Sequence, residues 1–262
     1  MAGPPAGPPG PAAPFVPPAK AAPAAGPPPF SGQVVLVTGA SRGIGAHLAR
    51  HFRERGAWVA GCARSLRPAE DEQGCATPVD VTDEQQVHAW VGGIWRRQGR
   101  IDVLINNAGA ASMNHSLLTP LSAMRSGMEL NCLAAFTASR EVAKRMRRAG
   151  YGRIVNLTTV AVPMLIEGEL SYAASKAALE TATRILAREL APFGITCNLV
   201  GPCPVDTDLI RGVPRQKMQA LIERLPLKRM AAMEDVAYAV EVFARREAGH
   251  LTGQVLYLGG VS

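Results

Sequence analysis

From Gln33 onward, short runs of apolar, β-branched residues alternate with amphipathic stretches. Val34-Val35-Leu36-Val37 is apolar at every position, the pattern of a strand buried on both faces. The stretch from Ile44 to Arg55 has helical spacing and stops at Gly56. Trp58–Cys62, Ile101–Ile105, Arg153–Leu157, Ile195–Val200 and Gln254–Leu258 read as further strands. Met124 to Arg148 reads as one long helix with a basic end, and residues 172–191 as another. The short link from Arg64 to Asp80 leaves room for little helix. This alternation predicts one α/β domain over residues 31–262, a Rossmann-like doubly wound parallel sheet with no internal repeat.

Residues 1–30 are a separate object, almost wholly Pro, Ala and Gly, with Phe15, Val16, Lys20 and Phe30 as the main exceptions. Such a segment buries too little apolar surface to offset the entropy of ordering, which predicts a disordered or polyproline-like tail. Across the chain, 47% hydrophobic and 19% charged residues supply an ordinary globular core. The five cysteines include no C-x-x-C and no metal-ligand spacing with histidine, so neither a disulfide framework nor a metal site is expected. No stretch is long and apolar enough for a membrane span, and the start lacks the pattern of a signal peptide. A cytoplasmic protein is expected.

A net charge of +7 does not by itself point to nucleic acid. The basic residues are scattered, and no aromatics interleave with them as a base-stacking platform requires. The one cluster, Arg140, Lys144, Arg145, Arg147 and Arg148, falls near a helix end, where the helix dipole favours cations. Its alternative use is docking an acidic partner. His88, His115 and His250 are isolated and read as surface or loop residues.

Between the first strand and its helix lies Thr38-Gly39-Ala40-Ser41-Arg42-Gly43-Ile44-Gly45. Glycines here let the backbone turn sharply and approach a pyrophosphate, whose charge the helix N-terminus favours. Directly after the first strand of an α/β pattern, this turn predicts a dinucleotide site. The second strand ends Cys62-Ala63-Arg64-Ser65, without the carboxylate that would bond the ribose hydroxyls of NAD. Arg64 and Arg42 are placed to clamp a 2′-phosphate, so NADP(H) is the expected cofactor.

The run Ser171-Tyr172-Ala173-Ala174-Ser175-Lys176 is helical in composition and puts Tyr172 and Lys176 on one face. A free tyrosine has a pKa of about 10. A neighbouring ammonium favours the phenolate, so Tyr172 is expected to be tuned downward, towards the range of efficient acid–base catalysis.

These segments, with Asp80-Val81, Asn106-Asn107-Ala108-Gly109, Asn131 and the Pro202…Thr207 stretch, carry a family resemblance. So does the run from Leu225-Pro226-Leu227 through Thr252-Gly253-Gln254-Val255 to Gly259-Gly260. From about Gln33 to Gly260 the chain resembles the short-chain dehydrogenases/reductases, and most of all the bacterial 3-oxoacyl-(acyl carrier protein) reductases. The resemblance implies that Gly39, Ser41, Arg42, Gly43, Ile44, Gly45, Arg64, Asp80, Val81, Asn107, Ala108, Gly109, Pro202 and Thr207 form the cofactor site, with Tyr172 and Lys176 closing it. Asp80 would bond the adenine amino group, and Thr207 the nicotinamide carboxamide. Tyr172 would protonate a substrate carbonyl, and Lys176 would hold the ribose and depress the tyrosine pKa. Asn131 would bind a water that relays protons from Lys176. A homotetramer or homodimer, packed on the helices at 124–148 and 172–191, is also implied.

Two positions depart from that pattern. Thr159 stands where the family places a serine that bonds the substrate carbonyl; it keeps the hydroxyl donor but adds a methyl. Cys203 follows Pro202 where the family usually has glycine. In the loop before Tyr172, Glu167 and Glu169 read as solvated carboxylates, and Met164 and Leu165 as walls of a partly apolar pocket. The leading expectation is an NADPH-dependent reductase of a small or carrier-protein-linked ketone, such as a 3-oxoacyl thioester. The alternatives are a reductase or dehydrogenase of another carbonyl or alcohol, such as a specialised-metabolite ketone, sugar or steroid, and a non-catalytic NADP(H)-binding protein.

Overall fold

β1 (Val34–Thr38) is buried at every position, as its unbroken apolar run requires. The computed structural model describes residues 27–261, so most of the segment read as a tail lies outside the described residues. Phe30, which composition assigned to the tail, is fully buried, with its ring edge-on to Phe52 at 4.8 Å.

After β1 come α1 (Gly43–Glu54), β2 (Trp58–Cys62), β3 (Ala69–Asp71), β4 (Gly74–Thr77), α2 (Glu84–Gln98) and β5 (Val103–Asn106). α3 (Leu121–Met128) and α4 (Ala134–Ala149) precede β6 (Gly152–Leu157), α5 (Ala161–Met164) and α6 (Leu170–Leu190). β7 (Ile195–Gly201), α7 (Arg215–Arg224), α8 (Met233–Ala244) and β8 (Val255–Tyr257) complete the series. The sheet order is β3-β4-β2-β1-β5-β6-β7-β8. Every pairing is parallel except β3 with β4.

The two faces of β1 feed two core layers. Val35 and Val37 pack with Leu48 and Phe52 of α1 and Val240 and Phe243 of α8. Val34 and Leu36 pack with Val87 and Trp90 of α2 and Val142 and Met146 of α4. Order reverses between β1 and β5, which creates the crevice at the carboxyl ends of these strands where ligands bind in open α/β sheets.

The structure revises two expectations. The sheet is not wholly parallel: no helix fits between Arg64 and Asp80, and the chain folds back as the exposed antiparallel edge strand β3. The single helix expected at 124–148 is two helices joined by a π turn at Glu129–Leu133. Such a turn inserts one extra residue and redirects the side chains around it.

The basic cluster also divides. Glu141 is buried and its carboxylate takes Lys144 Nζ at 2.5 Å, Arg145 Nη1 at 3.1 Å and His88 Nδ1 at 3.0 Å. Arg140 is bound to Glu84. Those contacts hold Glu141 down to about 2 against the effect of its burial. Arg147 and Arg148 make no ion pair among the described residues and occupy the last turn of α4, ahead of the left-handed cap Gly150. No helix among the described residues is long and apolar enough to cross a membrane.

Candidate active site

The glycine turn after β1 is built for close approach. Gly39 (φ 68) and Gly43 (φ 54) lie in the left-handed region, and a Cβ on Gly45 would stand 2.2 Å from the Gly39 carbonyl oxygen. Asn107 closes the turn from the end of β5, donating to the carbonyls of Thr38 at 3.1 Å and Gly39 at 3.2 Å. The Thr38 hydroxyl in return accepts the backbone N–H groups of Asn107 and Ala108. The strand ends on either side of the crevice are thereby tied together.

α1 begins without a side-chain cap and without an acid in its first turn, so its free N–H groups are available to an anion. Gly39, Ser41, Arg42, Gly43, Ile44, Arg64, Asp80, Val81, Asn107, Ala108, Gly109 and Thr207 all line one cleft of about 920 Å3. Gly45 sits behind it. Asp80 Oδ1 accepts the Thr82 hydroxyl at 2.7 Å and the Thr82 N–H at 3.0 Å. These bonds hold its carboxyl below the ordinary range and leave Oδ2 free. Arg64 is exposed and unpaired among the described residues, whereas Arg42 is paired with Asp208 at 3.2 Å, and Arg211 holds the other Asp208 oxygen at 2.6 Å. An uncapped helix start, a glycine turn and two arginines at the far end fit a dinucleotide.

A second cavity of about 480 Å3 adjoins this cleft and shares Ile44, Asn107, Gly109 and Thr207 with it. Thr159, Tyr172, Lys176, Pro202 and Cys203 line it. Thr159 is buried just beyond β6, and its hydroxyl accepts the Ala161 N–H at 3.2 Å. Lys176 is buried and donates to the Leu157 carbonyl at 2.7 Å; burial pulls its pKa down to about 8.

Tyr172 corrects the sequence reading. Burial pushes its phenol up to about 12, the Thr159 hydroxyl opposes this in part, and the charge of Glu169 adds to it. The expected downward pull from Lys176 is absent because the ammonium is turned onto Leu157 and is itself disfavoured by burial.

Asn131 stands in the π turn with its amide fully engaged. Its Oδ1 accepts the Ala110 N–H at 2.9 Å, and its Nδ2 donates to the Ala110 carbonyl and to Ser175 Oγ, both at 3.0 Å. A Cβ on Gly109 would lie 3.0 Å from Asn131 Oδ1 and 3.4 Å from Lys176 Nζ, which puts these groups around one glycine.

Several features escaped the sequence reading. Glu169 is partly buried in the cavity wall, while Glu167 is exposed. α7 supplies Met218 and Leu221 to the opposite wall, though no strong helical stripe marks it in the sequence. Glu180, one turn beyond Lys176, accepts the hydroxyls of Thr158 and Tyr257 at 2.6 Å each. Its spacing from Tyr172 and Lys176 was the available signal. Cys203 is buried against Gly259, so its side chain belongs as much to the core as to the cavity.

A family model described as enoyl-(acyl carrier protein) reductase matches residues 39–261. The chain belongs to the short-chain dehydrogenase/reductase family. As a member of that family it is an oxidoreductase, and the family works with nicotinamide cofactors. It is 33% identical over 237 residues to the 3-oxoacyl-[acyl-carrier-protein] reductase of Escherichia coli (strain K12), covering 88% of this chain and 97% of that one. The Pseudomonas aeruginosa enzyme of the same name is 34% identical over 240 residues, with the same coverage. Among solved structures of the family, Thermoplasma acidophilum aldohexose dehydrogenase superposes with a TM-score of 0.80 at 31% identity, covering 90% of this chain and 96% of that one. A levodione reductase also reaches 0.80, at 28% identity, covering 88% and 97%.

Proposed function

We propose that the protein is an NADPH-dependent ketone reductase whose substrate is a 3-oxoacyl thioester. The supporting observation is the convergence of the Tyr172 phenol and the Thr159 hydroxyl in a largely apolar cavity that opens onto the dinucleotide cleft. Bound in that cleft, a nicotinamide supplies the hydride. The Thr159 hydroxyl donates a hydrogen bond to the ketone oxygen and polarises it, and Tyr172 gives its phenolic proton to the same oxygen as negative charge develops there. A phenol held up to about 12 stays protonated at neutral pH and is ready to act as that acid. Lys176 spends one N–H on Leu157, and its remaining donors are available to ribose hydroxyls. Asn131, by fixing Ala110 and Ser175, positions the loop and the helix that carry Gly109 and Tyr172.

NADP(H) is favoured over NAD(H) because the adenosine end of the cleft presents Arg64 and Arg42 beyond β2 and no carboxylate at that strand's end. A thioester is favoured by the apolar walls of Ile166, Leu209, Val213, Met218 and Leu221 and by the named activity of the bacterial relatives. Arg147 and Arg148 offer the unpaired charge for an acidic carrier protein. Exposed Leu133 in the π turn, Phe136 on α4 and Ile185 on α6 support a homo-oligomer, and free cysteines suit a cytoplasmic enzyme. Residues 31–262 act as one catalytic domain in this reading.

The test is NADPH oxidation by the purified chain with a short 3-oxoacyl thioester, run beside NADH and a Tyr172→Phe variant. Turnover with NADPH that disappears in the variant supports the assignment. Activity that survives Tyr172→Phe overturns the mechanism.

A further inference from the structure

Glu169 precedes α6, three residues before Tyr172, and lines the reacting cavity. The loop that carries it is fixed in an unusual shape. Leu165 adopts φ 49, a left-handed conformation rare for a branched residue, and Gly168 adopts φ 85. The Gly168 carbonyl accepts the Asn114 N–H at 2.8 Å, which ties this loop to the one that follows β5. Uncommon backbone of this kind persists where its surroundings over-determine it, and it clusters at ligand sites.

The carboxyl held there has no partner among the described residues. The fully buried carboxylates are bonded: Glu141 to Lys144 and Arg145, Glu180 to Thr158 and Tyr257, Glu241 to His51, and Asp102 to Arg100. Glu169 makes no side-chain hydrogen bond or ion pair among the described residues, and burial raises its pKa with no compensating contact. Arg224, on the opposite wall, gives its guanidinium to the Met164 carbonyl. Glu169 is only partly buried, so its carboxylate stays open to the cavity and is free to accept from a group bound there.

We propose that Glu169 is a specificity-determining residue that accepts a hydrogen bond from an N–H or O–H of the substrate. On the thioester reading above, on which this inference rests, the donor is an amide N–H of a pantetheine-like arm. Glu169 discriminates by that hydrogen bond, so a substrate without the donor loses it. The charged and titratable groups around it are Glu167 on the loop, Tyr172 and Lys176 on α6, and Lys217 and Arg224 on α7.

The test compares two 3-oxobutanoyl thioesters that differ at one atom: one carries an N-acetylcysteamine arm, the other the same arm N-methylated so that its donor is gone. The wild-type chain is expected to prefer the N–H substrate by about tenfold or more in kcat/KM. Glu169→Leu should bring the ratio to about one while still turning over the methylated substrate. Glu169→Gln, which keeps an acceptor oxygen, should retain the preference. A ratio near one in the wild type, or a ratio unchanged in Glu169→Leu, overturns the proposal. Loss of activity in Tyr172→Phe alongside that result shows that only the role of Glu169 has failed. Activity that survives Tyr172→Phe shows that the underlying mechanism has failed.

Discussion

Lys176 Nζ donates to the Leu157 carbonyl at 2.7 Å and makes no hydrogen bond to the Tyr172 phenol, although the two residues share a helix face. The ammonium is buried, and its pKa falls from 10.5 to about 8. The folded chain therefore binds this proton less tightly than the unfolded chain does. Keeping Lys176 charged costs about 3 kcal/mol at pH 7, and the cost fades between pH 8 and about 10.5 as the lysine deprotonates in both states. Lys176→Met should abolish reduction yet stabilise the fold at pH 7 by about 2 kcal/mol, after loss of the Leu157 bond is counted. The gain should shrink by pH 10. Denaturant titration of both proteins at the two pH values reads the difference, and equal destabilisation of the variant at both would contradict this account.

Thr159 tests the hydroxyl separately from the methyl. Thr159→Val removes the donor at nearly constant volume and should lower kcat/KM about 100-fold. Thr159→Ser keeps the donor and frees space beside the carbonyl, so activity should hold or rise, most for bulky ketones. Steady-state rates on a small and a branched ketone separate the two effects. A Val variant as active as the Ser variant would leave Tyr172 as the only group acting on the carbonyl oxygen.

Much of this arrangement was legible in the chain. Val34–Val37 and Trp58–Cys62 are apolar because both faces of their strands are covered, and the strand bounds came within one residue. Gly39, Ser41, Arg42, Gly43, Ile44 and Asn107 line one cleft, and Tyr172 and Lys176 the cavity adjoining it, because strand ends and helix starts meet there; Gly45 and Asn131 line neither. What was illegible depended on tertiary contacts. Ala69-Glu70-Asp71 carries no alternation because β3 is exposed along its length. The π turn at Glu129–Leu133 is held by Asn131 bonding a loop distant in sequence. Nothing local to Glu169 says that the loop from Leu165 to Gly168 turns it inward, and nothing local to Phe30 says that Phe52 will receive it.

Gly45 shows how little space the turn leaves. A Cβ there would meet the Gly39 carbonyl oxygen at 2.2 Å and Asn107 Nδ2 at 2.4 Å, neither of which can yield without breaking the tie between β1 and β5. Gly45→Ala should cost about 1–3 kcal/mol of stability by overpacking and raise the NADPH KM at least tenfold. Gly93→Ala, with nothing within 4 Å and in the middle of α2, should be neutral or slightly stabilising. Thermal melts and cofactor titration measure both, and equal behaviour of the two variants would show that the close approach is not what Gly45 provides.

Arg42 is shared between Asp208 and the cofactor cleft, so its charge is partly spent before a phosphate arrives. Asp208→Asn should release it and lower the NADPH KM a few-fold, leaving that for NADH nearly unchanged. Arg64→Glu should raise the NADPH KM tenfold or more by setting like charge against the 2′-phosphate. Paired titrations with the two cofactors measure both shifts, and parallel changes for NADPH and NADH would place neither arginine at the 2′ position.

The division of the basic cluster makes the docking idea specific. Lys144 and Arg145 already satisfy the buried Glu141, and Arg140 is bound to Glu84, so reversing any of them damages the fold before it touches a partner. Arg147 and Arg148 are exposed in the last turn of α4, where the helix dipole contributes at most about 1 kcal/mol to their placement. Charge reversal at these two positions should leave the fold almost as stable and raise the KM for a carrier-linked 3-oxoacyl substrate several-fold. The effect should weaken with added salt, and a small free thioester should be reduced as before. Equal KM changes on the two substrates would mean that the pair serves the helix end and nothing else.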